Sequence, residues 1–149
     1  MSSLVKFSEA SSIALHTMAL LAAAPGEHVR VGDVAARLSV SEHHLAKVLQ
    51  RLARAGLVDS VRGVGGGFVL RGDPAKITLL DVYEALEGKF EVSGCLFSPA
   101  KCCGDCVLGN AVRDANALLH AHLAKTRVAD VAHVFTTVPE LVALGRLHS

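Results

Sequence analysis

All four cysteines of this 149-residue chain fall in one stretch, Cys95-Leu-Phe-Ser-Pro-Ala-Lys-Cys102-Cys103-Gly-Asp-Cys106. Cysteines that serve as small buried hydrophobes are ordinarily scattered, one to a packing site. Several soft, ionisable sulfurs on one segment punctuated by Pro and Gly suit a thiophilic metal or thiol redox chemistry instead. Three chemistries compete for them. Iron–sulfur clusters take thiolates because soft sulfur matches iron. Zinc takes four thiolates in a tetrahedron, and Cys103-Gly-Asp-Cys106 has the spacing of a zinc knuckle, although the adjacent Cys102-Cys103 pair suits it poorly. That same Cys103–Cys106 spacing also fits a thiol–disulfide switch.

The elements that must position these thiols begin with four helices and a hairpin. Ser8 or Ser11 opens a helix running to about Ala24, where Pro25-Gly26 stops it. We expect it to be amphipathic. Its apolar run, Ile13 to Ala24, resembles the hydrophobic region of a signal peptide, but Glu9 precedes it and His16 and Thr17 interrupt it. It is also too short to span a bilayer. A short link carrying Val29, Arg30 and Val31 precedes a second helix over Asp33 to Leu38. Ser39 and Ser41 are both suitable N-caps for a third helix, about Glu42 to Ala55, whose apolar stripe is Leu45, Val48, Leu49 and Leu52 and which Gly56 ends. Two helices this close, the second amphipathic and polar at its start, form a helix-turn-helix pattern.

Strand-like runs follow at Leu57 to Arg62 and Phe68 to Arg71, joined by Gly63-Val64-Gly65-Gly66-Gly67. This is a hairpin with a glycine tip and Arg at both bases, a wing placed directly after the helix-turn-helix. A nucleotide-phosphate loop is excluded: Phe68 stands where a dinucleotide fingerprint needs glycine, no Gly-Lys-Ser/Thr is present, and no helix follows the glycines. After Asp73-Pro74, Thr78-Leu79-Leu80-Asp81 caps a fourth helix that Gly88 ends. The cysteine segment comes next. From Val107, apolar residues recur at helical spacing to about Lys125, a long amphipathic helix suited to pairing two subunits, and Val128 to Phe135 adds a short helix. The layout divides into a winged helix-turn-helix DNA-binding unit over 1–88, a cysteine segment over 89–106, and a pairing helix with its tail over 107–149.

Charge supports that division. From Arg30 to Arg71 seven basic residues (Arg30, Arg37, Lys47, Arg51, Arg54, Arg62, Arg71) face three acidic ones (Asp33, Glu42, Asp59), a local +4 within a chain of net +1. A basic module tied to an acidic remainder fits a DNA-contacting part joined to a sensing or assembly part. With 4% aromatic residues and no Trp, the chain lacks the stacking platforms of a single-strand binder. On the third helix, His43, His44, Lys47, Gln50 and Arg51, behind the Ser41 cap, are the candidate contacts to bases and phosphates; Gln50 is suited to adenine. In the wing, Arg62, Gly63, Gly65 and Gly66 are candidates for close approach to a phosphate backbone or minor groove. His16, His120, His122 and His133 fall on helices and read as packing or interface residues. A thiol oxidoreductase is the competing class, but no βαβ unit surrounds the Cys103–Cys106 motif and no general base is evident.

Several segments together resemble the Rrf2 family, the IscR/NsrR-type winged-helix iron–sulfur transcription factors. They are Lys6-Phe7-Ser8-Glu9, Ser41-Glu42-His43-His44-Leu45, Leu52-Ala53-Arg54-Ala55-Gly56-Leu57-Val58, the wing from Val61 to Leu70, Ile77-Thr78-Leu79-Leu80-Asp81-Val82, and the cysteine loop before a long helix. The resemblance implies a mainly α fold with a small β-hairpin wing and a long dimerisation helix. It also implies a cytoplasmic homodimer, acting as a repressor, that binds a palindromic double-stranded DNA operator. The third helix would enter the major groove and the wing the flanking minor groove. An iron–sulfur cluster, [2Fe–2S] or [4Fe–4S], would be held by Cys95, Cys102 and Cys106 and would sense redox state, nitric oxide or cluster supply. The spacing departs from the family's even one: six residues separate Cys95 from Cys102 and three separate Cys102 from Cys106, so Cys103 competes for the middle place. Gly109 stands where some relatives place a His ligand, and Glu9 stands where others place an acidic one, which can come from the partner subunit. Carboxylate is a poor match for cluster iron, so that iron would be labile.

Overall fold

In the computed structural model, which describes residues 6–64, 66–92, 94–97, 101–102 and 105–136, the chain opens on a capped helix, α1 (Glu9–Ala23). The Ser8 side-chain oxygen accepts from the Ser11 amide at 3.1 Å, satisfying one of the free N–H groups of the first turn. The helix is not amphipathic as expected. Ser11, Ile13, Ala14 and every residue from Thr17 to Ala22 are buried, because α1 is the hub on which the other elements pack. Its many alanines let neighbours approach on several sides, which hides any one-sided pattern.

The second helix, α2 (Val31–Leu38), starts two residues earlier than expected and ends at Ser39, whose φ of 55° is left-handed. Ser39 is thus the turn between helices. Ser41 caps α3 (Glu42–Arg54), accepting from the His44 amide at 3.1 Å. Leu45, Val48, Leu49 and Leu52 are buried, so the sequence stripe is the packed face. Gly56, at φ 76°, turns the chain into β1 (Val58–Val61), which pairs antiparallel with β2 (Gly67–Leu70) in the register Val58–Leu70 to Val61–Gly67. Val29 adds a third rung: its N–H donates to Phe68 O at 2.8 Å and its carbonyl accepts from Phe68 N at 2.9 Å. The wing is therefore tied to the link before α2.

Thr78 and Asp81 form the expected capping box at the start of α4 (Leu79–Glu87), and Gly88 ends it at φ 82°. The next helix, α5 (Ala111–Lys125), begins later than expected; 107–110 are turns. One face packs back on α4, where Leu123 and Leu119 join Tyr83 and Phe90. The opposite side exposes Leu118 (75%) beside Ala111 and Ala115. The chain then returns to the foot of α4. Leu79 N donates to Thr126 O and Val128 N to Ile77 O, both at 2.9 Å, and Val128 is fully buried. Two short helices, α6 (Val128–Val131) and α7 (His133–Thr136), replace the single one expected and lie against α1. Among the described residues no helix is long and apolar enough to cross a membrane.

Candidate nucleic-acid interface and cysteine segment

The candidate contacts on α3 separate onto two faces. His43, Lys47 and Gln50 are exposed at i, i+4 and i+7, opposite the buried stripe, and Arg54 continues the row at i+11. This row combines two side chains able to read base edges with two cations able to neutralise phosphates. Arg54 is a further candidate contact on this face, and its spacing from Lys47 and Gln50 is the sequence signal for it. Half-buried His44 and exposed Arg51, also seven residues apart, reach sideways to neighbouring elements. His44 Nδ1 lies 3.9 Å from Glu9 Oε2, close enough for an ion pair when the imidazole is protonated. Arg51 Nη2 donates to the carbonyl of Leu86 in the last turn of α4. A cation at that carbonyl complements the partial negative charge of a helix C-terminus. The first role of Arg51 in the structure is therefore to hold α3 against α4.

Within the wing, Gly66 N donates to Gly63 O at 2.9 Å, closing a tight turn, and Gly63 takes φ 102°. A Cβ on Gly66 would lie 2.2 Å from the Val61 carbonyl oxygen, so only glycine fits. Gly65 lies outside the described residues. Arg62 is exposed at the base with no ion-pair partner among the described residues, whereas Arg71 is 3.9 Å from Asp59 across the hairpin. An exposed pair of that kind contributes little to stability, so Arg71 is also free to meet an anion.

The cysteine segment leaves the end of α4 under restraint. Phe90 is buried, its ring centroid 5.4 Å from that of Tyr83 and 5.1 Å from that of His120, and its N–H donates to Glu84 Oε1 at 2.9 Å. The Ser8 hydroxyl donates to Glu87. The last turn of α4 thus meets the recognition helix through Arg51, the start of α1 through Ser8, and the cysteine segment through Phe90. Burial, with Glu87 and then Glu84 nearby, raises the Tyr83 phenol above its ordinary range.

Of the described cysteines, Cys102 is exposed and Cys95 and Cys106 are half-buried. Cys95 Sγ accepts from the Phe97 amide at 3.4 Å, and hydrogen bonds to ligand sulfurs tune a cluster's reduction potential. Cys103 lies outside the described residues. Among the described residues no three His, Cys, Asp or Glu side chains are grouped as a ready metal site, and Glu9, 72% exposed, is paired with His44 rather than with the thiols. The donor set fits an iron–sulfur group by its chemistry: soft sulfur ligands on one segment, none fully buried, one of them hydrogen-bonded by an amide. Gathering them requires the segment to close around the group. An open cavity of about 350 Å³ adjoins Cys106, lined by Gly94, Asp105, Gly109, Asn110 and Arg113.

This arrangement has known counterparts. The Rrf2 family, described as iron-dependent transcriptional regulators, matches residues 7–134. BadM of Rhodopseudomonas palustris, named as an HTH-type transcriptional regulator, is 41% identical over 83 residues, 56% of this chain and 53% of BadM. The match therefore spans about half the length of that relative. The HTH-type transcriptional regulator NsrR of Bacillus subtilis is 33% identical over 100 residues, 66% of this chain and 68% of NsrR. The solved structure of CymR, the global cysteine regulator of B. subtilis, superposes with a TM-score of 0.72 at 28% identity, covering 87% of this chain and 98% of CymR. A helix-turn-helix, a glycine-tipped wing and a family match over 7–134 make this chain a member of the Rrf2 family of helix-turn-helix transcriptional regulators, and not an enzyme.

Proposed function

We propose that the chain is a homodimeric repressor whose grip on a palindromic operator is set by an iron–sulfur cluster on Cys95, Cys102 and Cys106, acting in the cytoplasm where thiols stay reduced. The observation that carries this reading is the placement of accessible thiols on a segment rooted in the last turn of α4, the turn that Arg51 of the recognition helix also grips. The family's iron-dependent description supports it. When bound, the cluster supplies a redox- and nitric-oxide-sensitive centre.

The residues of the chain do the rest. His43, Lys47, Gln50 and Arg54 present the reading row, with Ser41 fixing the helix start. Arg62, Gly63, Gly65 and Gly66 bring the wing close to the backbone. The cysteine segment, on changing shape, pulls on Phe90 and the α4 terminus and so on Arg51 and α3. Glu9 would be the fourth ligand, contributed across the dimer, and its contact with His44 ties that carboxylate to the start of α3. The exposed Ala111, Ala115 and Leu118 stripe of α5 supplies the subunit contact. The domain division at 88 and 106 follows from these roles.

The test is oxygen-free purification with iron and sulfide analysis. The expected sample is brown with both bound, and Cys95→Ala abolishes the colour. A colourless wild-type sample carrying stoichiometric zinc would overturn the proposal.

A further inference from the structure

We infer that Val64 is a specificity-determining residue of the wing, whose side chain gauges the minor groove and selects A·T over G·C pairs flanking the operator. The inference rests on the DNA-binding reading of the wing but not on the cluster.

Val64 is 109% exposed, more than any other large apolar side chain among the described residues. Isolated exposed apolar residues are ordinary on protein surfaces; this one stands where a turn favours Gly, Asn, Asp or Ser. The turn does not need it. Gly63 takes the left-handed conformation, the Gly66–Gly63 hydrogen bond closes the loop, and the absent Cβ of Gly66 lets the backbone lie down on Val61. Stiffness comes from below, through the paired bonds between Val29 and Phe68. A β-branched side chain, restricted at χ1, is therefore held out into solvent on a stiff mount, two residues from the exposed Arg62. Among the described residues nothing packs on it.

The minor groove fits this pairing of an apolar tip with a cation. Architectural proteins insert apolar side chains there beside Arg, and A·T tracts give a narrow groove whose enhanced negative potential attracts Arg. The floor over A·T pairs carries only acceptors, whereas a G·C pair adds the guanine 2-amino group. The Val64 methyls would bury that amino group without a partner, so Val64 disfavours G·C beneath the wing.

The experiment uses the full-length protein and duplexes it recovers from a randomised 40-bp pool. Flanking A·T pairs of a recovered duplex are exchanged for G·C, then for inosine·C, which lacks the 2-amino group. Wild type should bind the G·C flank about tenfold more weakly and recover with inosine. Val64→Ala should reduce that ratio to about twofold or less while keeping the wild-type salt dependence, because no ionic contact is lost. Arg62→Ala should instead lower the slope of log affinity against log salt by about one. Retention of the full A·T preference by Val64→Ala, or a slope change matching that of Arg62→Ala, overturns the inference while leaving the DNA reading intact. Recovery of no duplex by wild type overturns both.

Discussion

The same substitution, glycine to alanine, should move stability in opposite directions at Gly67 in the wing and Gly32 in α2, and the geometry says by how much. At Gly67 an added Cβ would lie 2.4 Å from the Val29 carbonyl oxygen and 2.8 Å from its carbon, both backbone, where ordinary contact begins at 3.4 Å. The strand must withdraw by about 1 Å. The two Val29–Phe68 hydrogen bonds, now 2.8 and 2.9 Å, would stretch past the bonding range. Losing both costs about 2 kcal/mol, offset by about 0.5 kcal/mol from the stiffer unfolded chain. The net loss of roughly 1.5 kcal/mol corresponds to a Tm lower by about 3–6 °C. At Gly32, inside α2, the added Cβ meets only the movable Glu42 carboxylate, at 3.3 Å. Gly32→Ala should therefore gain about 0.5 kcal/mol from helix propensity. Urea denaturation monitored by circular dichroism reads both. Gly67→Ala should also weaken duplex binding severalfold, since the wing loses its anchor. Equal signs at the two sites, or a Gly67→Ala protein as stable as wild type, would refute the view that the Val29 rung fixes the wing.

Three further outcomes follow from buried and capping groups. Thr17 is 1% exposed and its hydroxyl has no partner among the described residues, so Thr17→Val should raise stability by about 1 kcal/mol in urea denaturation. Arg51→Ala removes the bond to Leu86 O and should cost about 1 kcal/mol. It should also increase amide exchange at the end of α4; unchanged exchange at Gly88 and Phe90 would contradict the role given to Arg51. Burial, then Glu87, then Glu84 raise the Tyr83 pKa, so the folded state keeps the phenolic proton to higher pH than the unfolded chain. Stability is therefore unaffected below the ordinary phenol value of about 10 and falls as pH rises above it. Tyr83→Phe should flatten that alkaline loss in denaturation curves measured between pH 9 and 11.

Much of the scaffold was legible in the sequence because its signals are local. The Ser41 cap, the Thr78–Asp81 capping box, the left-handed Gly56 and Gly88, and the glycine wing each specify their turn within four residues. What sequence reading missed depends on long-range partners. The first helix looked amphipathic because a helix covered on several sides leaves no clean stripe. Ser39 offered the same capping chemistry as Ser41, and only the left-handed backbone needed between α2 and α3 separates them. The apolar periodicity from Val107 began before the helix does, since Val107 and Leu108 are exposed in turns. Arg51 reads as one more cation on the recognition helix, and its partner, a backbone carbonyl thirty-five residues away, leaves no trace in side-chain patterns. The thiols were visible as a group, yet their spacing alone did not choose among cluster, zinc and disulfide.

The measurement that bears most directly on the account is operator affinity of one anaerobic preparation before and after its iron is stripped by chelator, on the same duplex at the same salt. If the cluster controls binding, the two affinities differ at least tenfold, and Cys95→Ala binds like the stripped protein under both conditions. Identical affinities before and after stripping, or a wild-type preparation with no iron to strip, would contradict it.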